Sequence, residues 1–210
     1  MNPEEKIWAI VKINFKENNL LPSGFCGTGF FISPRKFITA AHFFDEKLFK
    51  PDFGGDKCKI FLVSQQSDQI EINSLDEVTI LRERDLVFFI PVKDYSHLEK
   101  EIHPEDNQVY NLGYPECLSS ILLTILQTNP LKISLRKPVS QEGQIINTQR
   151  LTFPDHWDVK LKDTNCVLLN YKSIKGFSGG PLLSNEGKVI GMMSFSATGM
   201  PTGAVLNEYF

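Results

Sequence analysis

Gly176-Phe177-Ser178-Gly179-Gly180-Pro181 is the stretch on which the reading turns. Glycine adopts left-handed backbone angles at little cost and has no side chain to block a ligand. A turn of this composition can aim the backbone N–H groups of Gly176 and Ser178 at one point. Two convergent donors of this kind stabilise charge on a carbonyl oxygen under attack, and loss of one costs about 10²–10³ in rate. The alternative is a glycine-rich β-turn that holds an ordinary serine. The hexapeptide alone leaves both readings open.

A serine hydroxyl is a weak nucleophile until a base takes its proton and a third group orients that base. The four histidines are His42, His97, His103 and His156. His42 ends the strand-like run Lys36-Phe37-Ile38-Thr39-Ala40-Ala41, where small residues flank the imidazole. The other three lie in polar, loop-like stretches and read as surface histidines. Asp85 opens the apolar run Leu86-Val87-Phe88-Phe89-Ile90. A carboxylate at such an entrance is partly buried and needs a partner. That partner is either His42, whose tautomer it would fix, or a neighbouring arginine, Arg82 or Arg84.

The surrounding chain reads as all-β. Short segments rich in Val, Ile and Phe recur between Gly, Pro, Asn and Asp. Strands are expected over 7–15, 27–32, 36–40, 59–63, 76–81, 86–90, 108–112, 121–128, 139–147, 165–171, 181–184, 189–194 and 203–206. Helical periodicity is weak, with candidates just after His42 and around 95–101. The polar segment 93–107 divides the strands into two groups. The expectation is two antiparallel six-stranded β-barrels, one over 1–100 and one over 101–210, with the active site in the crevice between them. Together they make one domain.

Composition narrows the function. The 210 residues carry a formal net charge of −3, with 41% apolar and 22% charged residues. Such a balance gives no general attraction to nucleic acid or anionic membrane, and the basic residues Lys132, Arg136 and Lys137 read as a solvated edge. No run approaches the ~20 apolar residues of a membrane-spanning helix. The start, Met1-Asn2-Pro3-Glu4-Glu5-Lys6, lacks the basic-then-apolar order of a secretory signal. Cysteines 26, 58, 117 and 166 are sparse and lack Cys-x-x-Cys spacing, so they read as free thiols and not as a zinc site. The expected location is cytoplasmic, or that of an effector secreted by a non-classical route. No metal or organic cofactor is expected.

The motifs taken together resemble the trypsin-like serine peptidases of the chymotrypsin fold. Gly27-Thr28-Gly29-Phe30-Phe31-Ile32 with Phe37-Ile38-Thr39-Ala40-Ala41-His42 is similar to their histidine region. Arg84-Asp85-Leu86-Val87 is similar to their aspartate motif, and Gly176 through Pro181 to their nucleophile motif. The order His, Asp, Ser is that of chymotrypsin-type enzymes and not of subtilisins or α/β-hydrolases. Asn111-Leu112-Gly113-Tyr114-Pro115 and Gly187-Lys188-Val189-Ile190-Gly191 resemble the bacterial Deg/Htr-type branch, without its peptide-binding domain. The resemblance implies a triad of His42, Asp85 and Ser178, with an oxyanion hole from Gly176 and Ser178. It also implies that Ser194-Phe195-Ser196 lines the specificity pocket and pairs with substrate backbone, that Ser194 bonds Asp85, and that Gly203 stands on the far wall.

Departures from the pattern matter as well. Phe177 stands where zymogens of the family carry an aspartate that pairs with a new N-terminal amine, so activation by N-terminal cleavage is not expected. Phe43 replaces a disulfide cysteine of secreted relatives. Residues 171–174 precede the nucleophile loop and contain no aspartate, which disfavours a preference for Lys or Arg at P1. Lys172 and Ser173 are candidate pocket residues, and an apolar or small P1 is expected. Three readings follow: an active endopeptidase on protein or peptide substrates, a non-catalytic binding module on the same fold, or a peptidase awaiting a regulatory partner or fused domain.

Overall fold

The computed structural model describes residues 2–101, 106–196 and 201–210. His103 lies outside them. The first half holds β1 (Ile7–Lys16), β2 (Asn19–Leu20), β3 (Gly24–Ser33), β4 (Lys36–Ala40), β5 (Lys57–Ser64), β6 (Gln69–Ile72), β7 (Thr79–Leu81) and β8 (Leu86–Phe89). They form one antiparallel sheet in the order β6-β5-β1-β3-β4-β8-β7, with β2 paired to β1. The two ends of this path, β6 and β7, are joined by residues 73–78, which hold the short 3-10 turn Leu75–Glu77. The path holds seven strands where six were expected, and β2 is a two-residue addition.

β1 shows how the two halves are joined. Its sequence Ile7-Trp8-Ala9-Ile10-Val11-Lys12-Ile13-Asn14-Phe15 is buried throughout, because a strand turns alternate side chains to opposite faces. Ile7, Ala9, Val11, Ile13 and Phe15 pack in the cluster that includes Leu112, Tyr114, Leu183 and Met192 of the second half. Trp8 and Ile10 point the other way, into the first barrel with Phe31, Phe37, Leu62 and Val87. A strand covered on both faces reads as a continuous apolar run. Lys12 and Asn14 are the exceptions: Lys12 is held by Asp52 at 2.8 Å, and Asn14 Nδ2 donates to Pro22 C=O at 2.9 Å.

The second half contains β9 (Gln108–Gly113), β10 (Leu123–Leu126), β11 (Lys132–Leu135), β12 (Val139–Leu151), β13 (Thr164–Leu169), β14 (Pro181–Ser184), β15 (Val189–Phe195) and β16 (Thr202–Leu206). Six of them close a barrel in the order β12-β13-β16-β15-β14-β9. β10 and β11 form a separate hairpin. The all-β fold of two barrel-like halves is the one expected from the motifs.

Several local expectations are corrected. No helix follows His42; single turns such as Phe44 N–H to Ala41 C=O occupy that stretch. The segment 95–101 is extended and docked on both halves: Leu98 N–H donates to Phe31 C=O, and Glu101 N–H to Val189 C=O. Residues 121–122 end a one-turn helix, α1 (Ser119–Leu122), and the strand begins only at Leu123. Residues 76–78 belong to the 3-10 turn and its cap, leaving Thr79–Leu81 as strand. β2, β6 and β11 have no counterpart in the sequence reading.

Candidate active site

Strand register brings the functional residues together. β4 pairs with β8 so that Ala40 faces Leu86. His42 lies just beyond one strand end and Asp85 just before the other. In the second barrel Pro181 faces Met192. The pairing continues past the strand end, with Gly179 N–H donating to Met193 C=O and Met193 N–H to Gly180 C=O, both 2.8 Å. That places Ser194 beside the nucleophile turn.

Asp85 is the fixed point of the arrangement. It is 1% exposed. Its Oδ1 accepts the backbone N–H groups of Ala41 (3.0 Å) and His42 (2.8 Å). His42 Nδ1 lies 3.1 Å from Oδ1 and 3.0 Å from Oδ2. Ser194 Oγ donates to Oδ2. The arginines point elsewhere: Arg82 donates to Phe44 C=O, and Arg84 to the carbonyls of Lys162 and Asp163. Asp85 has φ of +52°, a left-handed angle that costs a non-glycine residue about 1–3 kcal/mol. The surrounding bonds hold it there.

With Nδ1 committed to the carboxylate, the other ring nitrogen of His42 is left for the cleft. Burial works against the charged imidazole, but the charge and hydrogen bond of Asp85 outweigh it, with a further contribution from Asp158. The net effect raises the His42 pKa above its ordinary value.

The nucleophile turn has defined backbone geometry. Phe177 N–H donates to Ile174 C=O (3.1 Å), closing a four-residue turn. Gly176 occupies its third position with φ of +101°, the positive angle that a type II turn requires there. Lys175 C=O accepts Glu116 N–H at 2.9 Å. In a planar trans peptide the C=O and N–H point in opposite directions. Gly176 N–H is therefore turned away from Glu116. An added Cβ at Gly176 would lie 2.4 Å from Tyr114 O, so no other residue fits. Among the described residues, neither Gly176 N–H nor Ser178 N–H has a backbone acceptor.

His42, Ser178, Ser173, Ile174, Lys175, Met193, Ser194, Phe195, Ser196, Asp158 and Val159 line one cleft of about 420 Å³ between the halves. Ser178 Oγ makes no hydrogen bond among the described residues; such bonds are commonly long before substrate is bound. Two pocket expectations are corrected. Lys172 is exposed and off the cleft, its carbonyl accepting Gln141 Nε2 at 2.8 Å. Gly203 does not form an open wall: an added Cβ there would lie 2.0 Å from Phe195 Cζ, so its missing side chain makes room for the Phe195 ring. That ring packs edge-on against Phe153 at 4.8 Å.

The sequence reading did not find Asp158, Val159 or Met193. Asp158 and Val159 lie in the connection between β12 and β13, which has no periodic pattern to signal its course. Met193 was readable only as a core strand residue.

Two antiparallel barrel halves, with histidine, aspartate and serine meeting where they abut, define a serine endopeptidase of chymotrypsin type. A family model described as the trypsin-like peptidase domain matches residues 27–192. The chain belongs to the trypsin-like peptidase family. No curated protein matches its sequence. Solved structures resemble it in fold. The active form of the Rv3671c protease from M. tuberculosis superimposes with a TM-score of 0.58 at 19% identity, over 97% of this chain and 76% of that one. The HtrA-type protease AlgW with a decapeptide gives 0.61 at 15% identity, over 98% of this chain and 62% of AlgW. The MamO protease domain from Magnetospirillum magneticum gives 0.55 at 13% identity, over 94% and 90%.

Proposed function

We propose that this serine endopeptidase cleaves protein substrates through an acyl-enzyme on Ser178. His42 takes the Ser178 proton and later returns it to the leaving amine. Asp85 holds the His42 tautomer and stabilises the imidazolium. The N–H groups of Gly176 and Ser178 receive the oxyanion. The observation that carries this reading is the Asp85 carboxylate, which grips both the backbone and Nδ1 of His42 in the same cleft as Ser178. An extended substrate would pair with the edge at Ser194–Ser196. Ile174, Met193 and Phe195 among serines favour an apolar or small P1 residue.

Incubation with a quenched-fluorescent peptide library tests this. Cleavage by the wild type, absent in Ser178→Ala and His42→Ala, is the expected result. Intact peptides after incubation with folded wild type would count against it.

The four unpaired thiols fit a reducing, cytoplasmic setting.

A further inference from the structure

We infer that Thr28 is a positioning residue that holds the oxyanion turn in its productive orientation through its hydroxyl; the inference rests on the peptidase reading above. Thr28 lies on β3 of the first barrel and is fully buried. Its Oγ1 donates to Gly176 C=O at 2.8 Å and accepts Tyr114 N–H at 3.0 Å. Its own N–H donates to Ser178 C=O at 2.9 Å. Its C=O accepts Thr39 Oγ1 at 2.7 Å. One residue of the first barrel thus grips the turn of the second barrel on both sides of Phe177.

A hydroxyl has one proton to donate and can accept at the same time. Here the proton goes to Gly176 C=O, and the oxygen receives Tyr114 N–H. The peptide after Gly176 is therefore pinned by Thr28, while the peptide before it is pinned by Glu116 N–H on Lys175 C=O. Gly176 N–H belongs to the peptide before Gly176. The Thr28 bond fixes the next peptide, and with it the ψ of Gly176 and the turn that Phe177 N–H closes on Ile174 C=O, on which the direction of Gly176 N–H depends. Valine has the same shape as threonine and no hydroxyl. It would leave Tyr114 N–H and Gly176 C=O buried without partners, a situation that folded proteins relieve by moving the chain.

The test compares wild type, Thr28→Val and Thr28→Ser in peptide hydrolysis, in inhibition by a peptide aldehyde, and in thermal unfolding. For Thr28→Val, kcat falls about 10²-fold, in the range for loss of one oxyanion donor. KM stays near the wild-type value. Aldehyde affinity falls with kcat/KM, because the aldehyde adduct also needs the oxyanion donors. Thr28→Ser, which keeps the hydroxyl, regains most of the rate. If Thr28→Val does not fold, Thr28→Cys takes its place, since a thiol is a weak donor; Cys slow and Ser fast is again the expected order. A folded Thr28→Val or Thr28→Cys with wild-type kcat and aldehyde affinity overturns the inference alone. A folded wild type that neither cleaves peptide nor binds the aldehyde overturns the peptidase reading and this inference with it.

Discussion

The Phe177 ring occupies the space that any side chain at Gly113 would need: an added Cβ there would lie 1.9 Å from Phe177 Cδ1. Phe177 is completely buried. In zymogens of the family an ion pair to a new N-terminus orders this loop. Here an aromatic ring packs against a bare backbone at this point, and Phe177 cannot make that ion pair. Phe177→Ala should cost about 3–5 kcal/mol of stability, as for other emptied aromatic sites. Gly113→Ala should cost about 1–3 kcal/mol by overpacking. Both should lower kcat more than KM changes, because the turn carries Gly176. Urea unfolding alongside steady-state kinetics checks this, and unchanged stability in both variants would contradict it.

Asp85 and Ser194 form a graded pair of tests. Asp85→Asn leaves the volume intact but favours the wrong His42 tautomer, and should reduce kcat by roughly 10⁴. Ser194→Ala removes only one donor to the carboxylate. Its effect on kcat should be much smaller, and the double variant should be no worse than Asp85→Asn alone, since the two act through one group. Additive losses in a double-mutant cycle would refute this coupling.

The raised pKa of His42 sets the pH dependence. His42 must be neutral to accept the Ser178 proton, so activity rises as it deprotonates. The acid limb of the kcat/KM profile should fall above the ordinary imidazole value of 6.5. Asp158 contributes to the rise, so Asp158→Asn should move the limb toward lower pH. Asp158 is exposed, and its effect should shrink with added salt. A limb unmoved by Asp158→Asn at low salt would contradict the assignment.

The thiols should differ in reactivity. Burial pushes the pKa values of Cys26 and Cys166 up to about 12, and Cys117 is exposed. The thiolate is the reactive form. Iodoacetamide at neutral pH should therefore modify Cys117 first in the folded protein, with Cys26 and Cys166 reacting only after unfolding. Peptide mapping by mass spectrometry reads the order.

Much of the site was legible because each part is written in a short local pattern. His42 follows a strand of small and apolar residues, Asp85 opens an apolar run, and Ser178 sits in a glycine turn. Register between β4 and β8 then does the assembly. The strands with strong apolar character, β1, β4 and β14, were also legible. β6 and β11 were not, because Gln69–Ile72 and Lys132–Leu135 are four-residue, half-polar arms of the hairpins with β5 and β10, too short to stand out as apolar runs. The pocket was the weakest reading. Lys172 and Gly203 were assigned by position near a motif, whereas Lys172 lies exposed with its carbonyl on Gln141 and Gly203 makes room for the Phe195 ring. The contact of Asp158 with the cleft comes from the fold of a patternless connection. Thr28 was visible within its motif, but the hydroxyl bridge joins residues from three separate parts of the chain.

Fluorophosphonate labelling followed by intact-mass and peptide analysis tests the central claim most directly, since the probe reacts only with an activated serine. The account predicts one adduct on the wild type, located at Ser178 and absent from Ser178→Ala and His42→Ala. A folded wild type with no adduct, or an adduct that persists in Ser178→Ala, would contradict it.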